Sequence, residues 1–171
     1  MRRHRFLPAW HAVCLLLGLA ILASCAPTYD ETTDRQIMAV QQTTDAGLVR
    51  LITLARRIDS LKDLSDPASQ KALADARAKA GYAANADFYD TAEVDLTSLQ
   101  LRMTATPDLS ATKLDVLFTT IRDNLDDLRK FHSEHGLIGA RALSLARTPI
   151  NQQFKTLMQY ELNLKSGKKA A

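Results

Sequence analysis

Apolar side chains recur at alternating spacings of three and four residues along most of this chain, and that spacing constrains the fold more than any other feature. It places the apolar side chains of a helix on one face, where neighbouring helices can bury them. Strand signals are nearly absent, because alternating β-branched runs never exceed three or four residues. The sequence therefore predicts an all-α fold.

Four apolar stripes follow one another along the chain. The first two contain Ile37, Val40, Thr44, Gly47, Leu51, Leu54, Ile58 and Leu61, and then Ala78, Tyr82, Asn85, Tyr89, Ala92, Leu96, Leu99 and Met103. The third contains Leu114, Phe118, Ile121, Leu125, Leu128, His132 and His135, and the last contains Ile150, Phe154, Leu157, Glu161 and Leu164. Each stripe predicts one buried helix face.

Helix-breaking residues separate the stripes. Asp66 followed by Pro67 is typical of a helix start, and Gly136 is a candidate helix C-cap. Residues 106–110 (Thr-Pro-Asp-Leu-Ser) break the chain before the third helix, while Gly81 permits a bend within the second. These breaks predict an elongated up-and-down antiparallel bundle of three long helices.

Pro149 leaves the number of helices open. A short apolar helix is predicted over residues 137–147, and the proline then either starts a last helix or kinks a continuing one. The prediction is thus three to four helices. The bundle domain is predicted to span residues 35–166, with a short tail at 167–171.

The first 24 residues have a different character. Arg2, Arg3 and Arg5 precede an apolar run from about Ala12 to Ala23. A membrane-spanning helix needs about 20 apolar residues, whereas a secretory signal has a basic start and an apolar core of about 7–15 residues. The length of this run favours a cleaved signal peptide over residues 1–24.

The sequence Leu22-Ala23-Ser24-Cys25 ends the run, and it resembles the lipobox of bacterial lipoprotein precursors at all four positions. That resemblance implies cleavage before Cys25, transfer of a diacylglyceryl group to its thiol, and a triacylated mature N-terminus that carries palmitate. Ala26 after the cysteine implies sorting to the periplasmic face of the outer membrane of a Gram-negative bacterium. The resemblance covers only residues 1–26. Residues 25–34 are then predicted to be the lipidated N-terminus and a short polar tether.

Removal of the predicted signal changes the charge balance. Three of the 22 Lys and Arg residues lie within it, so that 19 basic and 19 acidic residues remain. A nucleic-acid footprint needs a basic surplus, and this balance argues against one. Cys25 is also the one cysteine after the signal, so no disulfide can form within the mature chain.

His132 and His135 are the candidate metal ligands. Their spacing of three residues places both on one helix face, where both rings can reach one ion. The alternative is two solvent-facing histidines that interact favourably with the helix dipole before Gly136. A metal would need a third ligand from another helix, and no sequence feature locates one. The prediction is that no metal is bound.

Asp87, Asp90 and Glu93 form an acidic ridge at successive spacings of three residues. The ridge is a candidate contact for a cation or a basic partner, and the alternative is a solvated face beside a tyrosine-rich core stripe. The segment Leu-Thr-Ser-Leu-Gln at 96–100 resembles a repeated element of periplasmic helical chaperones, but it occurs here once.

No catalytic pattern occurs in the sequence. It contains no Gly-x-Ser-x-Gly elbow, no Glu-x-x-His pair and no Cys-x-x-Cys-His motif. The chain is therefore expected not to be an enzyme and to have no cofactor beyond the lipid on Cys25. The predicted function is a membrane-anchored interaction module with a protein partner in the cell envelope. The alternatives are a small-ligand or metal-binding bundle and, with less support, a periplasmic chaperone.

Overall fold

A computed structural model describes residues 31–105 and 111–165. Within these ranges the chain forms five α-helices and one 3-10 turn, with no strand. The helices are α1 (Glu31–Leu61), α2 (Pro67–Ala80), α3 (Ala86–Thr104), α4 (Ala111–His135) and α5 (Ala140–Lys165). The 3-10 turn, Tyr82–Ala84, joins α2 to α3. The predicted all-α fold is confirmed.

The helices form a bundle of four antiparallel rods. The second rod consists of α2, the 3-10 turn and α3, and each of the other rods is a single helix. Around the bundle, α1 packs against α3 and α5, and α4 packs against the same two helices. The direction alternates, since a side chain early in α1 (Thr33) bonds one late in α3 (Arg102). The predicted up-and-down topology therefore holds, with five α-helices because the second rod is interrupted.

Asn85 stabilises that interruption. Its side-chain amide donates to the carbonyl oxygens of Lys79 (2.9 Å) and Gly81 (2.8 Å), which a continuous helix would bond to its own backbone. A 3-10 turn advances with 3.0 rather than 3.6 residues per turn, so the apolar face changes phase across it. Ala78, which the sequence places on the buried stripe, is consequently exposed, and Ala76 and Ala80 are buried instead.

One section of the molecule contains only two helices. Helix α2 packs on α1 and on the 3-10 turn, but not on α4 or α5. Its buried side chains, Leu73, Ala76 and Ala80, lie outside the main core cluster. We call residues 56–80 the arm, because the last buried residue of α1 is Ala55 and α2 packs on neither α4 nor α5.

The predicted caps are present at two helix ends. Asp66 accepts a hydrogen bond from the backbone N–H of Ser69 at 2.9 Å, and Pro67 follows it as the first residue of α2. At the end of α4, Gly136 has a φ of +71°, the left-handed conformation that favours glycine. These two ends are therefore set by local sequence.

Two boundaries differ from the sequence interpretation. Helix α1 begins at Glu31, four residues before the predicted start of the bundle at residue 35, because Thr33 is buried and accepts a hydrogen bond from Arg102 Nε at 3.1 Å. Helix α5 continues through Pro149 without interruption, so residues 137–147 form no separate helix. The predicted tail, 167–171, lies outside the described residues.

The core is a single cluster along the four rods. All the predicted positions of the third stripe from Leu114 to His132 are buried, as are Ile150, Phe154, Leu157 and Glu161 of the fourth. Leu48 and Ile52 are also buried, although the first predicted stripe did not include them. They are buried because α1 packs against α3 on one side and α5 on the other. The buried face of α1 is thus wider than one stripe.

Candidate functional site

His132 lies in the interior, where α4 meets the interruption of the second rod. Its side chain has no exposed surface. The Nε2 atom is 2.9 Å from the carbonyl oxygen of Ala80, and Nδ1 is 3.0 Å from the hydroxyl of Tyr89. A carbonyl only accepts, so Nε2 must carry the proton and donate to Ala80. In the neutral ring, Nδ1 accepts from the Tyr89 hydroxyl.

Aromatic rings surround this histidine. The rings of Tyr82 and Tyr89 pack edge-to-face against its ring, at centroid distances of 5.7 and 5.9 Å. Burial lowers the pKa of His132, because an imidazolium would lose its hydration there. Burial likewise raises the pKa of Tyr89, with a further contribution from Tyr82. Both groups are therefore neutral hydrogen-bonding partners at neutral pH.

His135 is in a different environment. It is exposed, and its Nδ1–H donates to the carbonyl oxygen of Phe131 at 2.9 Å. Its ring stacks on that of Phe131 at a centroid distance of 4.1 Å. The two histidines, weighed from the sequence as weak candidate ligands of one ion, do not converge, because His132 points into the core and uses both ring nitrogens within the protein. The alternative of two solvent-facing histidines is correct for His135 and wrong for His132.

No metal cluster occurs in the ranges that the structure describes, where no group of three or more His, Cys, Asp and Glu side chains is placed to hold an ion. Cys25, the predicted lipidation site, lies outside those ranges. The candidates that the structure does place are therefore the two histidines and the acidic ridge.

The acidic ridge is divided between two sides of α3. Asp90 forms an ion pair with Arg129 at 2.6 Å, and Glu93 forms one with Arg122 at 2.9 Å. Both arginines belong to α4, so these two carboxylates serve the α3–α4 seam. Asp87 is exposed and lines a groove on the α1 side of α3. The three carboxylates thus do not form one joint binding surface.

The chaperone-like element has a local structural role. Thr97 and Gln100, two of its polar residues, both accept hydrogen bonds from Arg122, at 3.2 and 2.6 Å. Gln100 also donates to Asp115 of α4 at 2.8 Å. Polar side chains of this element therefore extend the same α3–α4 seam.

A second polar cluster joins α1 to α5, and the sequence interpretation missed it. Arg147 donates from Nε and Nη2 to the two carboxylate oxygens of Asp45, at 2.6 and 2.8 Å. Asn151 donates to the same carboxylate at 2.6 Å and accepts from Gln41 at 3.2 Å. The Arg147 hydrogen bond lowers the pKa of Asp45 despite partial burial, so the carboxylate is charged at neutral pH.

No sequence signal marks this cluster, because Asp45 and Arg147 lie 102 residues apart. Asp45 does follow Thr44, a position of the first stripe, and the residue beside a buried stripe often faces the neighbouring helix. That rule identifies a seam position but not its partner.

A groove of about 450 Å³ runs between α1 and α3. Gly47 and Phe88 both line it, and the absence of a side chain at Gly47 lets the Phe88 ring approach the α1 backbone: a Cβ at Gly47 would lie 2.1 Å from Phe88 Cε2. Arg50 and Asp87 carry opposite charges at its rim. Arg50 also donates to Asn85 Oδ1 at 2.8 Å, which ties the groove to the interruption of the second rod.

These arrangements mainly join helices. The paired carboxylates, His132 and Asn85 each bond a residue of another helix. Open space remains in the α1–α3 groove and in a second groove of about 460 Å³ on α5, which is lined in part by Arg147 and Asn151. None of the described helices is long and apolar enough to cross a membrane. No protein-family model, curated protein or solved structure matches the chain.

Proposed function

We propose that this chain is a lipid-anchored helical bundle of the bacterial cell envelope that acts through protein–protein contacts. The observation that carries the proposal is the sequence Leu22-Ala23-Ser24-Cys25 at the end of a basic and apolar leader. A lipid on Cys25 would hold the bundle at the periplasmic face of the outer membrane. Each buried methylene contributes about 0.8 kcal/mol, so several acyl chains would make that anchoring stable.

The start of the bundle supports this arrangement. Because α1 begins at Glu31, six residues (25–30) would connect the lipidated cysteine to the fold. Even fully extended, six residues span about 20 Å. The bundle would therefore work close to the bilayer, as expected of a scaffold, an accessory subunit of an envelope complex or an exclusion factor.

The interior polar groups also favour an interaction role over catalysis. His132, the most deeply buried titratable candidate, donates and accepts within the fold, and the charged seams pair α1 with α5 and α3 with α4. General acid–base chemistry needs such groups within reach of a substrate. We therefore place the activity on the outer surface, and we propose that the chain is not an enzyme.

The groove between α1 and α3 favours a second candidate, a small-ligand-binding bundle. Its volume suits a small molecule, and Arg50 and Asp87 supply polar contacts at its rim. Metal binding is a weaker version of this candidate because both nitrogens of His132 are bonded within the protein. A chaperone role is weaker still, since Thr97 and Gln100 contact Arg122.

The anchor is tested by replacing Cys25 with Ala and following incorporation of labelled palmitate, mature size and membrane fractionation. We expect loss of the label, together with accumulation of the precursor or release of the protein in soluble form. Cys14→Ala is the matched control, because it removes the other cysteine and should change none of these results. A Cys25→Ala protein with normal size and normal fractionation would contradict the proposal.

Sorting is tested separately with Ala26→Asp. If the family rule applies, this variant moves towards the inner membrane while its palmitate label is kept, and Ala26→Ser stays in the outer-membrane fraction. An Ala26→Asp protein that remains in the outer membrane would remove the basis for that location while leaving the lipid anchor intact.

A further inference from the structure

The groove between α1 and α3 is lined by two matched rows of side chains. In each row the members follow the first at three, four and seven residues, which is the spacing of one helix face. The rows are Thr43, Ala46, Gly47 and Arg50 on α1, and Ala84, Asp87, Phe88 and Thr91 on the second rod. Three of these eight residues are alanine or glycine, which project little side chain into the groove.

Opposite charges face each other across one end of this groove. Arg50 bonds Asn85, so these two residues are nearly level along the bundle, and the contact of Gly47 with Phe88 gives the same alignment. Asp87 follows Asn85 by two residues, or about 3 Å along the helix. The Arg50 guanidinium and the Asp87 carboxylate therefore belong to facing walls at almost the same level.

The fold leaves these two charges unneutralised. Within the described ranges the Asp87 carboxylate has no hydrogen bond or ion pair, and Arg50 has one hydrogen bond, from Nη2 to Asn85 Oδ1 at 2.8 Å. By contrast, the carboxylates of Asp45, Asp90 and Glu93 each pair with an arginine of a neighbouring helix, at 2.6 to 2.9 Å. The groove thus has one acidic wall and one basic wall, both free to contact a ligand.

The rest of the lining supplies apolar contact and neutral polar groups. The ring of Phe88 is half-buried and lies against α1 at Gly47. Thr43 and Thr91 line the other end of the groove, and their hydroxyls have no partner among the residues that the structure describes. Small-molecule sites combine apolar surface with a few polar groups that fix orientation, and this lining has both.

The groove on α5 has a different chemistry. Its described lining belongs to α5 alone and includes no acidic residue and no apolar side chain. Two of its members, Arg147 and Asn151, already bond Asp45. It therefore lacks the facing opposite charges and the aromatic contact that distinguish the α1–α3 groove.

We propose that the α1–α3 groove binds a zwitterionic α-amino acid with an apolar side chain. Arg50 donates to the carboxylate of the ligand with the N–H groups that Asn85 leaves free, and Asp87 accepts from its ammonium group. Phe88 packs against its side chain. A simple anion or a simple cation satisfies only one wall, whereas an α-amino acid carries both charges on one carbon. This inference deepens the second candidate function, small-ligand binding, and does not depend on the lipid anchor.

The first test compares three ligands that differ in charge. The full chain, isolated in detergent micelles, is titrated with L-phenylalanine, with 3-phenylpropanoate, which lacks the ammonium group, and with 2-phenylethylamine, which lacks the carboxylate. Ligand-observed NMR measures binding, and empty micelles give the blank. Each analogue should bind at least about tenfold more weakly than L-phenylalanine, because each loses a charge-assisted hydrogen bond. Equal binding of all three, or no binding of L-phenylalanine, overturns the proposal.

The second test assigns the charges to the two walls. Asp87→Asn should weaken binding of L-phenylalanine at least about tenfold and leave that of 3-phenylpropanoate unchanged. Arg50→Gln should weaken L-phenylalanine similarly and leave 2-phenylethylamine unchanged. The matched controls are Asp126→Asn on α4 and Arg56→Gln in the arm, which are exposed residues outside the groove lining and should change nothing. An Asp87→Asn protein that binds L-phenylalanine like the parent refutes the site.

Both wall residues also contribute to the fold, and the ligand series separates that role from binding. Asp87 lies in the first turn of α3, where a carboxylate stabilises a helix, and Arg50 bonds Asn85. Melting curves without ligand report any loss of stability, whereas an effect on one ligand and not on its analogue reports the site. A protein that carries lipid but binds no L-phenylalanine refutes the groove site alone. A protein without lipid that binds L-phenylalanine refutes the anchor alone.

Discussion

Replacing His132 with Leu should destabilise the protein through the two hydrogen-bonding partners that the ring now satisfies. Leucine has a similar size and a good helix propensity, so the change mainly removes hydrogen bonds. The Ala80 carbonyl and the Tyr89 hydroxyl would remain in a buried region without a partner. A buried polar group left unpaired costs about 1–3 kcal/mol, so the two together should lower the free energy of unfolding by about 3 kcal/mol.

Urea unfolding followed by far-UV circular dichroism measures this loss, which corresponds to a fall in Tm of about 10 °C. His135→Leu is the matched control: it lies one turn away on the same helix, but it is exposed and should change stability by less than about 0.5 kcal/mol. Tyr89→Phe, combined with His132→Leu, completes a double-mutant cycle. If His132→Leu unfolds like the parent protein, or if the two changes are additive, the assigned hydrogen bonds are wrong.

The same residue makes stability depend on pH. Because burial lowers the pKa of His132 in the folded state, the unfolded chain binds the proton more readily. The contribution of the neutral ring is therefore complete above the unfolded pKa of about 6.5 and is lost as the pH falls below it. The slope cannot exceed about 1.4 kcal/mol per pH unit for one proton. His132→Leu should flatten this part of the pH profile, and an unchanged slope would contradict the assignment.

Three further substitutions test the packing. Gly47→Ala should destabilise the protein by at least about 1 kcal/mol, because the added Cβ would overlap Phe88. In a Phe88→Ala background the same change should stabilise the protein, because alanine has the better helix propensity. Thermal melting distinguishes the two signs. Asp45→Asn should lower the free energy of unfolding by about 1 kcal/mol at neutral pH. The difference between variant and parent should vanish as acid protonates the parent carboxylate, and urea titrations at a series of pH values measure it. Leu125→Asp should cost about 4 kcal/mol in the same titration by placing an unpaired charge on the core face of α4, and a parent-like midpoint would refute that face.

The sequence predicted the fold well because the dominant interactions are periodic. A spacing of three and four residues depends on the helix alone, so the core faces of α4 and α5 could be read without knowledge of their neighbours. The interruption of the second rod could not be read in the same way. It depends on Asn85 reaching back to two carbonyl groups and on Arg50 of another helix, and the apolar pattern on its two sides can be read as one stripe.

The candidate site shows the same limit. His132 was placed correctly on the apolar stripe, but its position near the end of α4 suggested solvent. It is buried because the interruption brings the Ala80 carbonyl and Tyr82 against the last turn of α4, where the Tyr82 backbone N–H also donates to Gly136 at 3.2 Å. The Asp45–Arg147 pair was missed because its members are joined by packing rather than by spacing.

The arm has a consequence for how the molecule opens. Since α2 packs only on α1 and on the 3-10 turn, we expect that it can unfold while α1, α3, α4 and α5 stay packed together. Its amide hydrogens should then exchange with solvent by a partial opening that needs less free energy than global unfolding. The bond from His132 to Ala80 joins the last residue of α2 to α4. One imidazole therefore ties the end of the arm to the rest of the protein.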